Sequence, residues 1–209
     1  MAPVVGQYAF LVNSDACSGC KTCQVACKDK NDLPAGLHWR KVYEVTSGGW
    51  QQAGEAWTNT VAVYHLSAAC HHCLNAVCIP ACPTEAIAKS DTGLVLITES
   101  LCRNCHACEL ACPYGAVRFN PVRNTTTKCD FCADLLELGE PPACVAACPN
   151  RALDFGDLAE LRRAHPAGVS QVFPLPPAAP TQPAVVILPH RNAGLVQARA
   201  PEVANGEEL

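Results

Sequence analysis

Apolar residues along this chain come in short runs, broken every few positions by cysteine, glycine or proline. Leu94-Val95-Leu96-Ile97 is one such run. With Ala86-Ile87-Ala88-Lys89 before it and a Ser90-Asp91-Thr92-Gly93 turn between, it predicts a β-hairpin. Trp39 to Val45, the Ser47-Gly48-Gly49 break, Trp50, and Thr60-Val61-Ala62-Val63-Tyr64-His65-Leu66 predict strands and turns. Helical signals are shorter. Ala133-Asp134-Leu135-Leu136-Glu137-Leu138 predicts one or two turns stopped by Gly139 and Pro141. Asp157 to Ala164 predicts a helix with Asp157 as N-cap and Arg162 and Arg163 in its last turn. From Pro166 onward prolines recur at 174, 176, 177, 180, 183, 189 and 201 and predict an extended tail. That tail contains Val185-Val186-Ile187-Leu188, too apolar for a plain linker, and is expected to lie on a partner subunit. No run approaches the ~18 apolar residues of a membrane span, so none is expected.

A length of 209 residues suggests one or two domains. Fifteen Lys and Arg nearly balance 19 Asp and Glu, for a formal net charge of −4. That balance argues against nucleic-acid binding, which calls for a basic face. Met1-Ala2-Pro3-Val4-Val5-Gly6-Gln7-Tyr8 has no basic region followed by an apolar one, so no signal peptide is expected. The composition is dominated instead by 16 cysteines. Without a secretion signal of the chain's own, metal binding is favoured over a disulfide framework.

The thiols fall into four groups of four with none left over. The first is Cys17, Cys20, Cys23 and Cys27; the second Cys70, Cys73, Cys78 and Cys82, followed by Pro83. The third is Cys102, Cys105, Cys108 and Cys112, followed by Pro113; the fourth Cys129, Cys132, Cys144 and Cys148, followed by Pro149. C-x2-C-x2-C-x3-C-P is the bacterial ferredoxin signature, whose fourth cysteine ligates the other cluster of a pair. Three thiolates on a tight loop reach three irons of one cube, and the fourth starts the next turn of chain toward a neighbouring cube. Four zinc ions could also use 16 thiolates, but zinc sites are built from two well-separated pairs, which this spacing does not suit. Disulfides suit it less, because the loops crowd too many thiols together.

Applying the crossing rule predicts four [4Fe-4S] clusters. Cluster one takes Cys17, Cys20, Cys23 and Cys148, and cluster two Cys27, Cys129, Cys132 and Cys144. Cluster three takes Cys70, Cys73, Cys78 and Cys112, and cluster four Cys82, Cys102, Cys105 and Cys108. The expected fold class is α+β: two nested two-cluster ferredoxin domains, a β-rich insertion and an extended Pro-rich C-terminal tail. Residues 1–30 and 120–165 form the discontinuous domain and 67–119 the contiguous one. Residues 31–66 form the insertion and 166–209 the partner-binding tail. An internal repeat supports this. After three of the groups the chain runs Thr84-Glu85-Ala86-Ile87, Tyr114-Gly115-Ala116-Val117 and Asn150-Arg151-Ala152-Leu153, a turn entering a strand. Cys27 is followed by Lys28-Asp29-Lys30 without proline, so its chain should take another path.

Each oxidised cluster with four thiolates carries about −2, so four bring the formal charge near −12 in all, among the influences on potential. Backbone N–H groups must offset part of this, and Gly19 permits a close approach in the first loop; Asn104 holds the matching place in the third. The three tryptophans, Trp39, Trp50 and Trp57, fit a small satellite core, or a docking surface. His71, His72 and His106 are expected as loop residues near the surface, since every cluster is already complete, and Arg103 as solvated or tuning cluster four. No nucleophile–base set, glycine-rich phosphate loop or HExxH occurs, and catalytic residues are expected to be none.

These four groups, with Cys27-Lys28-Asp29, Cys112-Pro113-Tyr114-Gly115-Ala116 and Arg151-Ala152-Leu153-Asp154-Phe155-Gly156, resemble the iron–sulfur B subunits of dimethyl sulfoxide reductases, from about Tyr8 to Phe173. More widely they resemble the four-cluster subunits of molybdopterin oxidoreductases. The resemblance implies an electron relay, not catalytic alone, between a large molybdopterin catalytic subunit and a quinone-reactive integral membrane anchor. It implies clusters one and two on the catalytic side and three and four toward the anchor. It also implies a peripheral place on the cytoplasmic membrane through those partners. In nitrate reductase relatives a Trp replaces one cysteine of the third group, leaving three irons; here Cys102, Cys105 and Cys108 are all present. The same relay run oxidatively in a sulfite-oxidising complex, a soluble polyferredoxin, and a structural or regulatory iron–sulfur module remain the alternatives.

Overall fold

The structure, a computed structural model, describes residues 6–209, and the first residues read above for a leader, Met1–Val5, lie outside them. Its first strand, β1 (Tyr8–Asn13), has Ala9 to Val12 buried on both faces, as a central strand must be. It pairs antiparallel with β10 (Leu153–Asp157) and parallel with β11 (Val185–Leu188). Side chains alternate between two apolar layers. Phe10, Val12, Val185 and Ile187 face the main core, whereas Ala9, Leu11 and Val186 face Leu158 and Leu161 of helix α5 (Leu158–Ala164).

Strands β2 (Lys41–Ser47) and β5 (Ala62–Ala68) pair antiparallel along their whole length, and β12 (Glu202–Val203) extends β2's other edge. Their buried residues Val42, Val45, Tyr64 and Leu66 join the same core as Phe10 and Phe131. The segment expected as a satellite core is therefore part of the main one, because both faces of the β2–β5 sheet are covered. Val42 and Ser67 lie against the Cys17–Cys23 loop, and Val45, Tyr64 and Leu66 are buried on the other face. Strands β3 (Trp50–Ala53) and β4 (Ala56–Asn59) form a hairpin that stands clear of it, with Trp50 66% and Trp57 61% exposed. Trp39 is buried, its indole N–H donating to Thr127 Oγ1 at 3.2 Å.

Three short pieces surround the middle groups: a hairpin of β6 (Ile87–Lys89) and β7 (Val95–Ile97), helix α2 (Ala107–Ala111), and a hairpin of β8 (Arg118–Asn120) and β9 (Thr125–Thr127). The expected 86–97 hairpin is thus present. Helix α1 (Thr22–Lys30) packs on α4 (Ala143–Ala146), with α3 (Ala133–Glu137) just before it.

The tail departs from expectation. Val185–Ile187 is buried in this chain's own sheet rather than left for a partner. Proline cannot donate a backbone hydrogen bond, but its carbonyl still accepts. Pro180 O takes the Asn75 amide at 2.6 Å, and Leu74 and Asn75 N–H donate to Gln182 and Thr181 carbonyls at 2.9 and 3.0 Å. Further on, α6 (Ala193–Gln197) buries Val196, and the Asn205 side chain bridges Glu44 N–H and Val42 O at 2.8 and 2.9 Å. The Pro-rich stretch straps the second cysteine loop.

Asp157 caps α5 as expected, Oδ1 accepting from Ala159 and Glu160 N–H at 2.8 and 3.2 Å, while Oδ2 accepts from Gly6 and Gln7. Burial pushes its pKa up, but the N–H groups of Glu160, Gln7, Ala159 and Gly6 together hold it below 3.8. A depressed folded value means the cap stabilises above the unfolded pKa and fades as pH falls through the folded one. Asp157→Ala is expected to lose about 1 kcal/mol at neutral pH, a gap that closes under strong acid in denaturant titrations.

Candidate metal centres

The cysteine loops repeat in backbone conformation as they do in spacing. The residue before each second cysteine, Gly19, His72, Asn104 and Phe131, has a left-handed φ of 72°, 43°, 53° and 65°. The Cys-Pro-x-x turns repeat too. Glu85, Gly115 and Arg151 are left-handed, and each donates its N–H to the cysteine three residues back at 3.2–3.4 Å. Left-handed non-glycine residues are uncommon, and five of these seven matching positions are non-glycine, which points to one loop design used four times. The first group departs as expected: after Cys27 the chain stays helical through Lys30. Gly19 is the only glycine among the four, and a Cβ there would stand 2.3 Å from the His65 ring.

Helical geometry accounts for the final x3 spacing in the first group, where Cys23 and Cys27 both lie on α1. In the third and fourth, Cys108 and Cys144 lie on α2 and α4, and Cys112 and Cys148 just past the helix ends. Residues four apart share a face but are displaced along the axis by about 6 Å, which lets them serve adjacent sites.

The structure brings the groups together across the chain. One cavity, about 310 Å³, is lined by Cys17, Cys20 and Cys23 with Cys148. A second, about 360 Å³, is lined by Cys70, Cys73 and Cys78 with Cys112. A third, about 290 Å³, is lined by Cys102, Cys105 and Cys108 with Cys82. Each takes three thiols from one group and the last from another. The remaining four, Cys27, Cys129, Cys132 and Cys144, are all buried, and their charges bear on one another. Among the described residues no three His, Cys, Asp or Glu side chains converge tightly enough to grip a single ion.

As free thiols these groups resist ionisation. Burial pushes Cys27 up to about 12; Arg40 pulls it down, and Cys144, Cys132 and Asp130 push upward again. Burial and Cys70 push Cys73 and Cys78 up to about 12, and burial puts Cys129 well above the usual range. Metal ligation needs thiolates, so loading must release these protons. Where sites near the surface carry hydroxyls, the direction reverses. The Thr22 hydroxyl lowers Cys20, and at Cys102 the burial effect is outweighed by Thr125, Thr126 and Asn104. Backbone N–H donors reach sulfur as expected, from Phe131 to Cys129 at 3.4 Å and from Ala152 to Cys148 at 3.3 Å.

Two histidines correct the surface expectation. His71 and His72 are 5% and 1% exposed, because their loop is roofed by Ala184 and the tail. Burial, with Arg40 adding, lowers His71 to about 4, and burial holds His72 well below its ordinary value. His72 Nδ1 accepts from Val95 N–H at 2.9 Å, which leaves the proton on Nε2. The Nε2 atoms of both are buried without a protein partner, and both residues line the Cys70–Cys112 cavity. Buried ring nitrogens without a protein partner, the His72 one a donor, suit a sulfide-bearing cluster beside the four thiols better than an apolar filler. His106 is half-buried, 2.8 Å from Glu109, and Arg103 is exposed. Two buried cations, Arg40 and Lys128, carried no sequence signal; Lys128 Nζ donates to Val95 O and to Cys129 O.

Comparison with known proteins agrees. Residues 61–158 match a 4Fe-4S dicluster domain and residues 14–31 a 4Fe-4S binding domain. The B subunit of the anaerobic dimethyl sulfoxide reductase of Escherichia coli is 41% identical over 203 residues, covering 97% of this protein and 98% of the relative. The Haemophilus influenzae subunit of the same name is 42% identical over 190 residues, 90% of this protein and 92% of its own length. The thiosulfate reductase electron transfer subunit of Salmonella typhi is 37% identical over 174 residues, 83% of this protein and 88% of its own length. No helix among the described residues is long and apolar enough to cross a membrane. With 16 cysteines for four [4Fe-4S] clusters and no catalytic role of its own, this protein belongs to the family of dimethyl sulfoxide reductase iron–sulfur (B) subunits, the electron-transfer members of anaerobic reductase complexes.

Proposed function

We propose that this chain relays electrons, through four clusters in line, between a molybdopterin catalytic subunit and a quinone-reactive membrane anchor, in the reductive direction of its dimethyl sulfoxide reductase relatives. In this reading it sits peripherally on the cytoplasmic membrane through those two partners. The observation that carries the reading is the crossed make-up of the cavities, three thiols from one group and one from its partner group. Cys17, Cys20, Cys23 and Cys148 hold cluster one, and Cys27, Cys129, Cys132 and Cys144 cluster two. Cys70, Cys73, Cys78 and Cys112 hold cluster three, and Cys82, Cys102, Cys105 and Cys108 cluster four.

When bound, the clusters supply one-electron storage and transfer. The residues do the rest. The α1–α4 pair keeps Cys23, Cys27, Cys144 and Cys148 together, which makes residues 1–30 and 120–165 one ferredoxin-like unit around 67–119. Phe10, Phe131 and Leu66 exclude water from the inner sites, and loop N–H groups and hydroxyls offset thiolate charge. Burial increases from Cys102 and Cys105 to Cys70 and Cys78, so cluster four is the surface-facing end of its pair. Isolation of the complex from membranes is expected to yield this chain together with molybdenum, and a quinol is expected to reduce it. Recovery as a free chain that no quinol reduces contradicts the relay.

An isolated two-stranded hairpin is marginal in water. The exposed β3–β4 hairpin is therefore read as an arm that rests on a partner subunit, with Trp50 and Trp57 on one face by the Gln52–Trp57 register. Changing both to alanine is expected to move the chain's own stability by less than about 0.5 kcal/mol. Recovery with the complex is expected to fall, as pull-down yields will register.

A further inference from the structure

Arg40 is the largest fully buried side chain, 1% exposed, and among the described residues no carboxylate pairs with it. Its guanidinium carbon lies 4.4 Å from the Phe10 ring centroid, a cation–π contact on one face. Nη1 donates to Ser67 Oγ at 3.1 Å, and that oxygen lies 3.3 Å from Cys23 Sγ. Nε and Nη2 are buried without a protein partner. A buried cation left like this costs several kcal/mol unless an anion compensates it, and keeping the group charged requires that anion nearby.

Among the described residues, the groups that bear most on it are cysteines. Burial favours its neutral form, and Cys144, Cys23, Cys129 and Cys27 reverse that, in falling order. Cys23 belongs to the first site, and Cys27, Cys129 and Cys144 to the fourth-group site. The guanidinium reaches the first site through Ser67. The Phe10 ring beneath it stacks on Phe131 at 4.0 Å between centroids, and the Phe131 N–H donates to Cys129 Sγ of the second at 3.4 Å.

We propose that Arg40 is the internal counter-charge shared by clusters one and two, holding both at higher reduction potential than their burial alone allows. This rests on the ligand sets proposed above. A fixed positive charge stabilises the reduced, more negative state of a cluster, and buried sites feel it with little screening. The two orphaned nitrogens are the donors for cluster sulfur, as polar groups packed around metal ligands commonly are.

The test is an EPR-monitored redox titration of the full chain, purified with its clusters in the absence of oxygen, with Arg40→Met and Arg40→Lys beside it. In Arg40→Met with iron content intact, two of four midpoints are expected to fall. The reduced-to-oxidised ratio at fixed potential should drop about tenfold, which is about 59 mV for one electron. The other two midpoints stay in place, and Arg40→Lys recovers most of the shift. Unchanged midpoints at full iron content, or an equal shift of all four, overturn the proposal. If Arg40→Met loses iron, the lysine variant decides. Full loading with lysine supports a need for charge, and loss in both shows a need for shape and overturns it. An unmodified chain without four clusters fails the ligand assignment instead, and its iron content reveals that before any variant is made.

Discussion

Replacing Cys102 by serine is expected to remove or convert one cluster, leave the other three, and stop quinol-linked turnover. Cys102 stands at the half-buried rim of its cavity, beside Thr125 and Thr126 and away from the main core. Its loss therefore costs little packing. The near-UV circular dichroism should keep its form and the melting temperature should fall only a few degrees. Iron should drop from about 16 to about 12 per chain, or to about 15 if a three-iron cluster survives. In the proposed relay the clusters act in line, so turnover from quinol should fall by orders of magnitude rather than by a quarter. Unchanged turnover places cluster four off the path. The unmodified chain has all of Cys102, Cys105 and Cys108, so its oxidised form should show no stoichiometric three-iron EPR signal.

The same substitution at Cys27 is expected to bring down the whole chain. Cys27 is buried in the main core, on the face of α1 that packs against α4, and Arg40 bears on it. Serine there removes a ligand and leaves a buried guanidinium short of one compensating charge. Breaking such a buried pair costs about 3–5 kcal/mol, against total stabilities of about 5–15 kcal/mol. Nine of the 16 cysteines are buried, so clusters and core are one structure, and losing the first should unfold the second. Cys27→Ser is expected to lose at least clusters one and two together, with an unfolded near-UV spectrum and rapid proteolysis of full-length chain. A folded protein lacking a single cluster contradicts this.

The contrast between these two cysteines is half legible in the sequence. Ligand spacing is a local property, so the groups, the proline turns and the divergence after Cys27 can be read residue by residue. The 86–97 hairpin and the Asp157 cap are local in the same way. Strand β1 is not legible, because Ala9 to Val12 is buried on both faces and shows no alternation to separate strand from helix. The tail misleads because proline content reports the lack of N–H donors and says nothing of where the carbonyls go. Here Pro180, Thr181 and Gln182 give theirs to the second cysteine loop. Residue type assigns His71 and His72 to the surface, yet backbone pairing at Ala184 encloses them. Nothing around Trp39-Arg40-Lys41 marks the middle residue as buried, since its surroundings come from Phe10, Ser67 and thiols as far as a hundred positions away.

The central claim is that each cluster takes three cysteines from one group and its last from another. An anomalous-scattering map of the iron-loaded chain measures this directly. Cys27 is expected on the cluster that holds Cys129, Cys132 and Cys144, with Cys148 on that of Cys17, Cys20 and Cys23. A map with Cys27 and Cys23 on one cluster contradicts it.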